Sequence, residues 1–190
     1  MAAAAVTLNG CPHCRDRRIA WDNLWRLGAY QKPLSSWIIA MKFQRAWGWG
    51  NWMGRQLAAV TPTHERSVVV PVPLHWTRRW RRGYDQAALI ADGFATAKGF
   101  PLAKLLRRRR RTAAQSALKS REKRRRNVHH AFTMRPVDLT GWTVWLIDDV
   151  STSGSTARVC THLLRRAGAE RVNLAVPAVA DPKHADFQHT

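Results

Sequence analysis

Two adjacent carboxylates, Asp148 and Asp149, follow the apolar run Val144-Trp145-Leu146-Ile147, and after Val150 come six small residues, Ser151, Thr152, Ser153, Gly154, Ser155 and Thr156. A short apolar run of that kind reads as a buried strand, so the acids arrive at its carboxyl edge. There they can accept hydrogen bonds from vicinal hydroxyls or organise a hydrated Mg²⁺. The hydroxyls and backbone N–H groups that follow, at the start of a helix, make an anion cradle. One helix-end contribution is worth only ~0.3–1 kcal/mol at an exposed site, so several donors must converge to hold a phosphate in water.

Three other chemistries use a similar strand, and each lacks something here. A P-loop needs Gly-x-x-x-x-Gly-Lys-Ser/Thr upstream, which the sequence does not contain. A dinucleotide fingerprint needs glycines before the helix and an acid on the next strand, which Gly154 alone does not meet. A receiver-like domain carries its paired acids near its N-terminus. An ordinary capped turn would explain Ser153 or Ser155 but not two neighbouring acids.

A second group of candidates is Cys11-Pro12-His13-Cys14. A closed zinc site takes four ligands, and His13 lies inside the pair, poorly placed for the same ion. Cys160 falls on an apolar face with Leu163, Leu164 and Ala167 and is expected in the core. Cys11 and Cys14 are therefore the zinc candidates.

The elements that must hold these groups can be read in outline. Residues 1–32 look like an irregular leader, and 33–60 read as helical from Pro33, with Leu34, Trp37, Ile38, Met41 and Lys42 at helical spacing. Glycines 48, 50 and 54 weaken the middle of that helix. Ser67 to Val72 is a buried strand, followed by Pro73 and a basic loop to Gly83. A helix fits Asp85 to Ala97, burying Ala88, Leu89, Ala91 and Phe94. A strand from Thr143 to Val150, a helix from Ser155 to Ala167 closed by Gly168, and a strand from Val172 to Val176 make a βαβ unit, which requires a parallel pair. The class is α/β, a central parallel sheet flanked by helices. In such sheets ligands bind beyond the carboxyl ends of the strands, where the loops after Val72 and Val150 emerge.

VWLIDDVSTSGST resembles the phosphoribosyl pyrophosphate signature of type I phosphoribosyltransferases. Together with VVVPVPLHWTRRWRRGYDQA and RTAAQSALKSREKRRRNVHHAF, in that order, the chain resembles the ComF competence-associated family. The resemblance implies a type I phosphoribosyltransferase fold at 61–190, with residues 1–60 a cysteine-containing leader and helical hood. It implies that Asp148 and Asp149 are catalytic and contact the ribose hydroxyls, and that Ser151 to Thr156 hold the 5′-phosphate. Pro73, Leu74 and His75 would be the pyrophosphate loop. Arg78, Arg82, Gly83, Tyr84 and Gln86 match an Arg-rich Gly-Tyr-x-Gln motif, with Asp85 where Asn is more usual. Arg111, Thr112, Gln115, Leu118, Arg121 and Asn127 would belong to a flexible basic loop that closes over the site. The implied ligand is phosphoribosyl pyrophosphate with Mg²⁺, transferred to an acceptor the sequence does not name. ComF-like chains often carry two Cys-x-x-Cys pairs in a zinc knuckle; with one pair here, a start further upstream, a degenerate knuckle and an ion shared by two chains all stay open.

Charge adds a second functional class. Among 190 residues, 32 Lys plus Arg stand against 12 Asp plus Glu, a formal charge of +20. Residues 107–126 alone hold eleven basic residues and one Glu. An anionic partner is expected. With ten tryptophans, several beside arginines, as at Trp76 and Trp80, single-stranded DNA is a candidate. That supports the alternative of a non-enzymatic factor in DNA uptake that binds single-stranded DNA and competence proteins. The start has no basic region ahead of a long apolar run, and no run nears the ~18 apolar residues that span a bilayer. Three cysteines give no disulfide framework, which points to the cytoplasm.

Overall fold

The computed structural model describes residues 19–44, 46–74, 83–108 and 131–180. The elements run β1 (Asn23–Ala29), α1 (Leu34–Phe43), α2 (Gly48–Val60), β2 (Ser67–Pro71), α3 (Gln86–Lys98), β3 (Leu106–Arg108), β4 (Phe132–Met134), β5 (Thr143–Ile147), β6 (Val150–Ser151), α4 (Ser155–Arg166) and β7 (Arg171–Val179). The main sheet has the order β1-β7-β5-β2 with every pair parallel, and β6 adds to β7. The expected α/β class with a central parallel sheet is what the structure has.

Both faces of the sheet are covered, which is why β2 and β5 read as unbroken apolar runs rather than as alternating ones. Val68, Val70, Val144 and Leu146 point to one face and pack with Val159, Cys160 and Leu164 of α4. Val69, Trp145 and Ile147 point to the other, where Leu57 of α2 and Ile90 and Phe94 of α3 cover them. Cys160 is fully buried, as its apolar neighbours led us to expect.

Three expectations need correction. The leader is not irregular to residue 32: Asn23–Ala29 forms β1, with Asn23 opposite Asn173 and Ala29 opposite Val179. This segment contains no β-branched residue, so its strand character comes from pairing with β7 and not from local preference. The helix read over 33–60 is also two helices. α1 packs Ile38 against Met53 and Ala178, while α2 turns away to lie on α3. Gly50 and Gly54 do not weaken α2 so much as permit that approach. A Cβ on Gly54 would stand 2.1 Å from the carbonyl oxygen of Ile90, and one on Gly93 of α3 would stand 2.2 Å from that of Asn51. Strand β7 also runs further than Val172 to Val176, because β1, β5 and β6 all pair along it.

β3 and β4 form a separate antiparallel pair with Arg108 opposite Phe132. This pairing holds Arg108 and Phe132, which flank most of the basic window, side by side. No helix among the described residues is long and apolar enough to cross a membrane.

Candidate functional site

The register of the sheet brings two loops together. Pro71 pairs with Ile147 and the N–H of Val72 donates to the Ile147 carbonyl at 2.8 Å, so the chain after β2 and the acids after β5 leave the same edge side by side. Asp148 and Asp149 are half-buried there. The Asp149 N–H donates to Asp148 Oδ1 at 2.8 Å, and Asp149 Oδ2 meets Lys42 Nζ, from the last turn of α1, at 2.8 Å.

Beyond them, Ser151 is buried and pairs in β6 with Val179, while Thr152 and Ser153 are exposed. Gly154 takes a left-handed conformation, φ +68°, immediately before α4. Ser153 and Ser155 hydroxyls lie 2.8 Å apart, and the Ser155 N–H points to Ser153 Oγ at 3.4 Å. Thr156 follows in the first turn, half-buried. Trp21 covers one flank of this turn: a Cβ on Gly154 would meet its ring at 2.7 Å. Two contributors, Lys42 and Trp21, thus come from the N-terminal part of the chain. Lys42 was legible as a helical position, but nothing local in the sequence marks either residue as reaching the acids or the turn.

The other loop is tied down from α3. Asp85 caps that helix, with Oδ1 accepting from the Ala88 N–H at 3.3 Å and Oδ2 from the Leu74 N–H at 3.1 Å. Pro73 and Leu74 border a cleft of about 650 Å³ that also meets Tyr84, Lys104, Arg107 and Arg135. Tyr84 packs edge-on to Trp47, centroids 5.9 Å apart, and Trp47 is itself exposed. Trp37 and Trp49 stack at 4.9 Å with Trp52 edge-on to both, a packing role for three of the ten tryptophans. His75, Arg78, Arg82, Arg111, Thr112, Gln115, Leu118, Arg121 and Asn127, the pair Cys11 and Cys14, and Trp76 and Trp80 lie outside the described residues.

The electrostatics of the acid pair are uneven. Burial first, and the neighbouring Asp149 second, hold the Asp148 carboxyl well above the usual aspartate range, against the opposing pull of the Asp149 N–H and Lys42. Burial and Asp148 in turn push the Cys160 thiol up, so it stays protonated. Because folded Asp148 binds its proton more tightly than the unfolded chain does, its stabilising contribution is full below the ordinary aspartate value, ~3.9, and is lost as pH rises through the raised one. Asp148→Asn should therefore flatten the decline of stability above pH ~4. It should also raise Tm at neutral pH, by ~2–4 °C for each kcal/mol of relieved repulsion and desolvation. Thermal unfolding from pH 4 to pH 8 checks this, and an unchanged slope would mean that the carboxylate ionises in the fold without penalty.

These groups do not make a cage for a bare Mg²⁺. Asp149 already has Lys42 as counter-ion, and no three His, Cys, Asp or Glu side chains converge among the described residues. What the pair does offer is carboxylate oxygens at the edge of an open turn rich in hydroxyl and N–H donors, which suits a sugar hydroxyl pair next to a phosphate.

No family model matches the chain. It is 32% identical over 178 residues to Competence protein F of Haemophilus influenzae, across 86% of this chain and 76% of that protein. It is 31% identical over 180 residues to the DNA utilization protein YhgH of Escherichia coli K12, across 86% and 75%. Solved structures with partial likeness include the allosteric regulatory enzyme of purine biosynthesis, at 24% identity and TM-score 0.46 over 67% of this chain and 25% of that one. Another is a purine phosphoribosyltransferase from Pyrococcus horikoshii, at 14% identity and TM-score 0.39 over 74% and 81%.

Proposed function

The chain belongs to the family of Competence protein F and the DNA utilization protein YhgH, and from that premise we propose that the turn after β5 binds phosphoribosyl pyrophosphate or a related 5-phosphorylated ribose. The observation that carries this reading is the meeting, at one sheet edge, of the Asp148–Asp149 pair with a donor-lined turn opening α4. Asp148 and Asp149 accept hydrogen bonds from the two ring hydroxyls. Thr152, Ser153, Ser155 and Thr156, with the N–H groups of the first turn of α4, hold the 5′-phosphate. On this reading the loop at Pro73 and Leu74, which leaves the same sheet edge, takes the pyrophosphate end of the ligand, and the pyrophosphate brings Mg²⁺ with it.

On this reading the activity is transfer of the phosphoribosyl group. The bond from C1′ to pyrophosphate breaks through an oxocarbenium-like transition state, as in glycoside cleavage. The leaving group takes the electron pair, so the protein needs anion-stabilising groups rather than a nucleophile. Nearby carboxylates favour the charge developing on the ring. The acceptor is left to be identified.

Isothermal calorimetry with phosphoribosyl pyrophosphate and Mg²⁺ tests the proposal. The chain should bind, and the Asp148→Asn, Asp149→Asn double variant should lose binding by at least about a hundredfold, from two carboxyl hydrogen-bonding sites at ~1.5 kcal/mol each. Equal binding by the double variant removes the assignment.

The second reading, a single-stranded DNA and partner-binding factor, draws on the +20 charge and on the exposed Lys104, Arg107 and Arg135 beside the cleft. A salt series separates the two. DNA held through several phosphates should weaken with a log–log slope near −0.7 per phosphate contact. Sugar-phosphate binding should depend on the acids and much less on salt.

A further inference from the structure

The ion pair between α1 and the acid pair has a role that the phosphate turn alone does not explain. Lys42 Nζ and Asp149 Oδ2 are 2.8 Å apart, with the two side chains only 18% and 22% exposed. Lys42 follows Met41, which is fully buried, as is Ile38 one turn earlier. The ammonium is therefore delivered by a helix locked into the core and not by a wandering surface side chain. A charge removed this far from water persists only when matched. Asp149 in turn donates its N–H to Asp148 Oδ1, so Lys42, Asp149 and Asp148 form one connected line.

We propose that Lys42 is the resident cation of the sugar end of the site. It is a positioning residue that holds Asp149 Oδ2 at contact distance and keeps the side chain aimed at the vicinal hydroxyls, so that the pair grips the ribose without a divalent ion at the carboxylates. The inference rests on the reading of this turn as a phosphorylated-ribose site. Lys42 and a metal compete for the same oxygen: a divalent ion drawn onto Asp149 Oδ2 would face an ammonium at contact distance, and like charges that close repel strongly where water is partly excluded. With the ammonium removed, a metal becomes the available replacement.

The test uses ribose 5-phosphate, which lacks the pyrophosphate that would bring its own Mg²⁺, titrated into the full chain by calorimetry in EDTA and in Mg²⁺. The parent should bind equally in both buffers. Lys42→Met should bind at least about tenfold more weakly in EDTA, a factor equal to ~1.4 kcal/mol, and recover most of that in Mg²⁺. Lys42→Arg, which keeps the charge, should stay close to the parent in both. A Lys42→Met variant that binds as the parent does in EDTA overturns the inference, as does one weakened in both buffers alike, which would mark Lys42 as merely structural. A parent that needs Mg²⁺ for ribose 5-phosphate overturns it too. Each of these leaves the pocket assignment standing if the parent binds phosphoribosyl pyrophosphate with Mg²⁺; a parent that binds neither ligand removes both.

Discussion

Alanine at Gly93 will destabilise the protein by ~3 kcal/mol or more, at or beyond the upper end of ordinary overpacking. In an exposed helix interior the same change gains ~0.5–1 kcal/mol, because glycine gives up more backbone freedom on folding. Here the new methyl would meet the oxygen, Cα and carbonyl carbon of Asn51 at 2.2, 2.7 and 2.8 Å. Those are backbone atoms, which cannot step aside as a side-chain tip can. The reciprocal contact, Gly54 against the Ile90 oxygen and the Phe94 nitrogen at 2.1 and 2.7 Å, closes the alternative of sliding α2 along α3. Urea unfolding should show a lower midpoint at unchanged m. Gly48, whose Cβ would meet nothing within 4 Å, is the control and should tolerate alanine. Equal stability of the parent and Gly93→Ala would mean that the two helices do not touch through their backbones.

Trp145→Ala should cost about 3–5 kcal/mol, the range for emptying a large aromatic from a core. Trp145 is fully buried, with Phe94 tilted against it at 5.3 Å and His64 stacked at 6.0 Å. It is also three residues before Asp148 on the strand that aims the acids, so ligand binding should fall with stability. Trp145→Phe should lose far less. It keeps the contact with Phe94 and discards an indole N–H that has no hydrogen-bond partner among the described residues, a group whose burial is itself unfavourable. Chemical denaturation of the two variants side by side checks the order, and a phenylalanine variant as unstable as the alanine one would contradict it.

How far the sequence could be read depended on where each element's cause lies. Strands β2 and β5 and helix α4 carry their signals locally, in unbroken apolar runs, a glycine-containing turn and a glycine after the last turn, and they appear within a residue or a few of where the pattern puts them. That both loops emerge at the carboxyl ends of strands followed from a parallel sheet, whereas the placing of β2 beside β5, which makes the loops neighbours, is a matter of strand order that no local pattern carries. β1 was illegible because its preference is imposed by β7. The break between α1 and α2 was illegible because it answers to the packing of α2 on α3, so glycines that look like helix weakeners act as contact surfaces. Lys42 and Trp21 were missed as partners of the acids and the turn for the same reason. Each is more than a hundred residues away in sequence, and only tertiary packing makes them neighbours.

The double acceptance by Asp85 ties the loop after β2 to the start of α3. One oxygen is engaged by the helix start and the other by the Leu74 N–H. A carboxamide in its place has a single acceptor and would turn an NH₂ toward one of the two donors. Aspartate rather than asparagine thus welds loop and helix into one strut. Loop and helix are held at one residue, and α3 in turn meets α2 through the glycine contact.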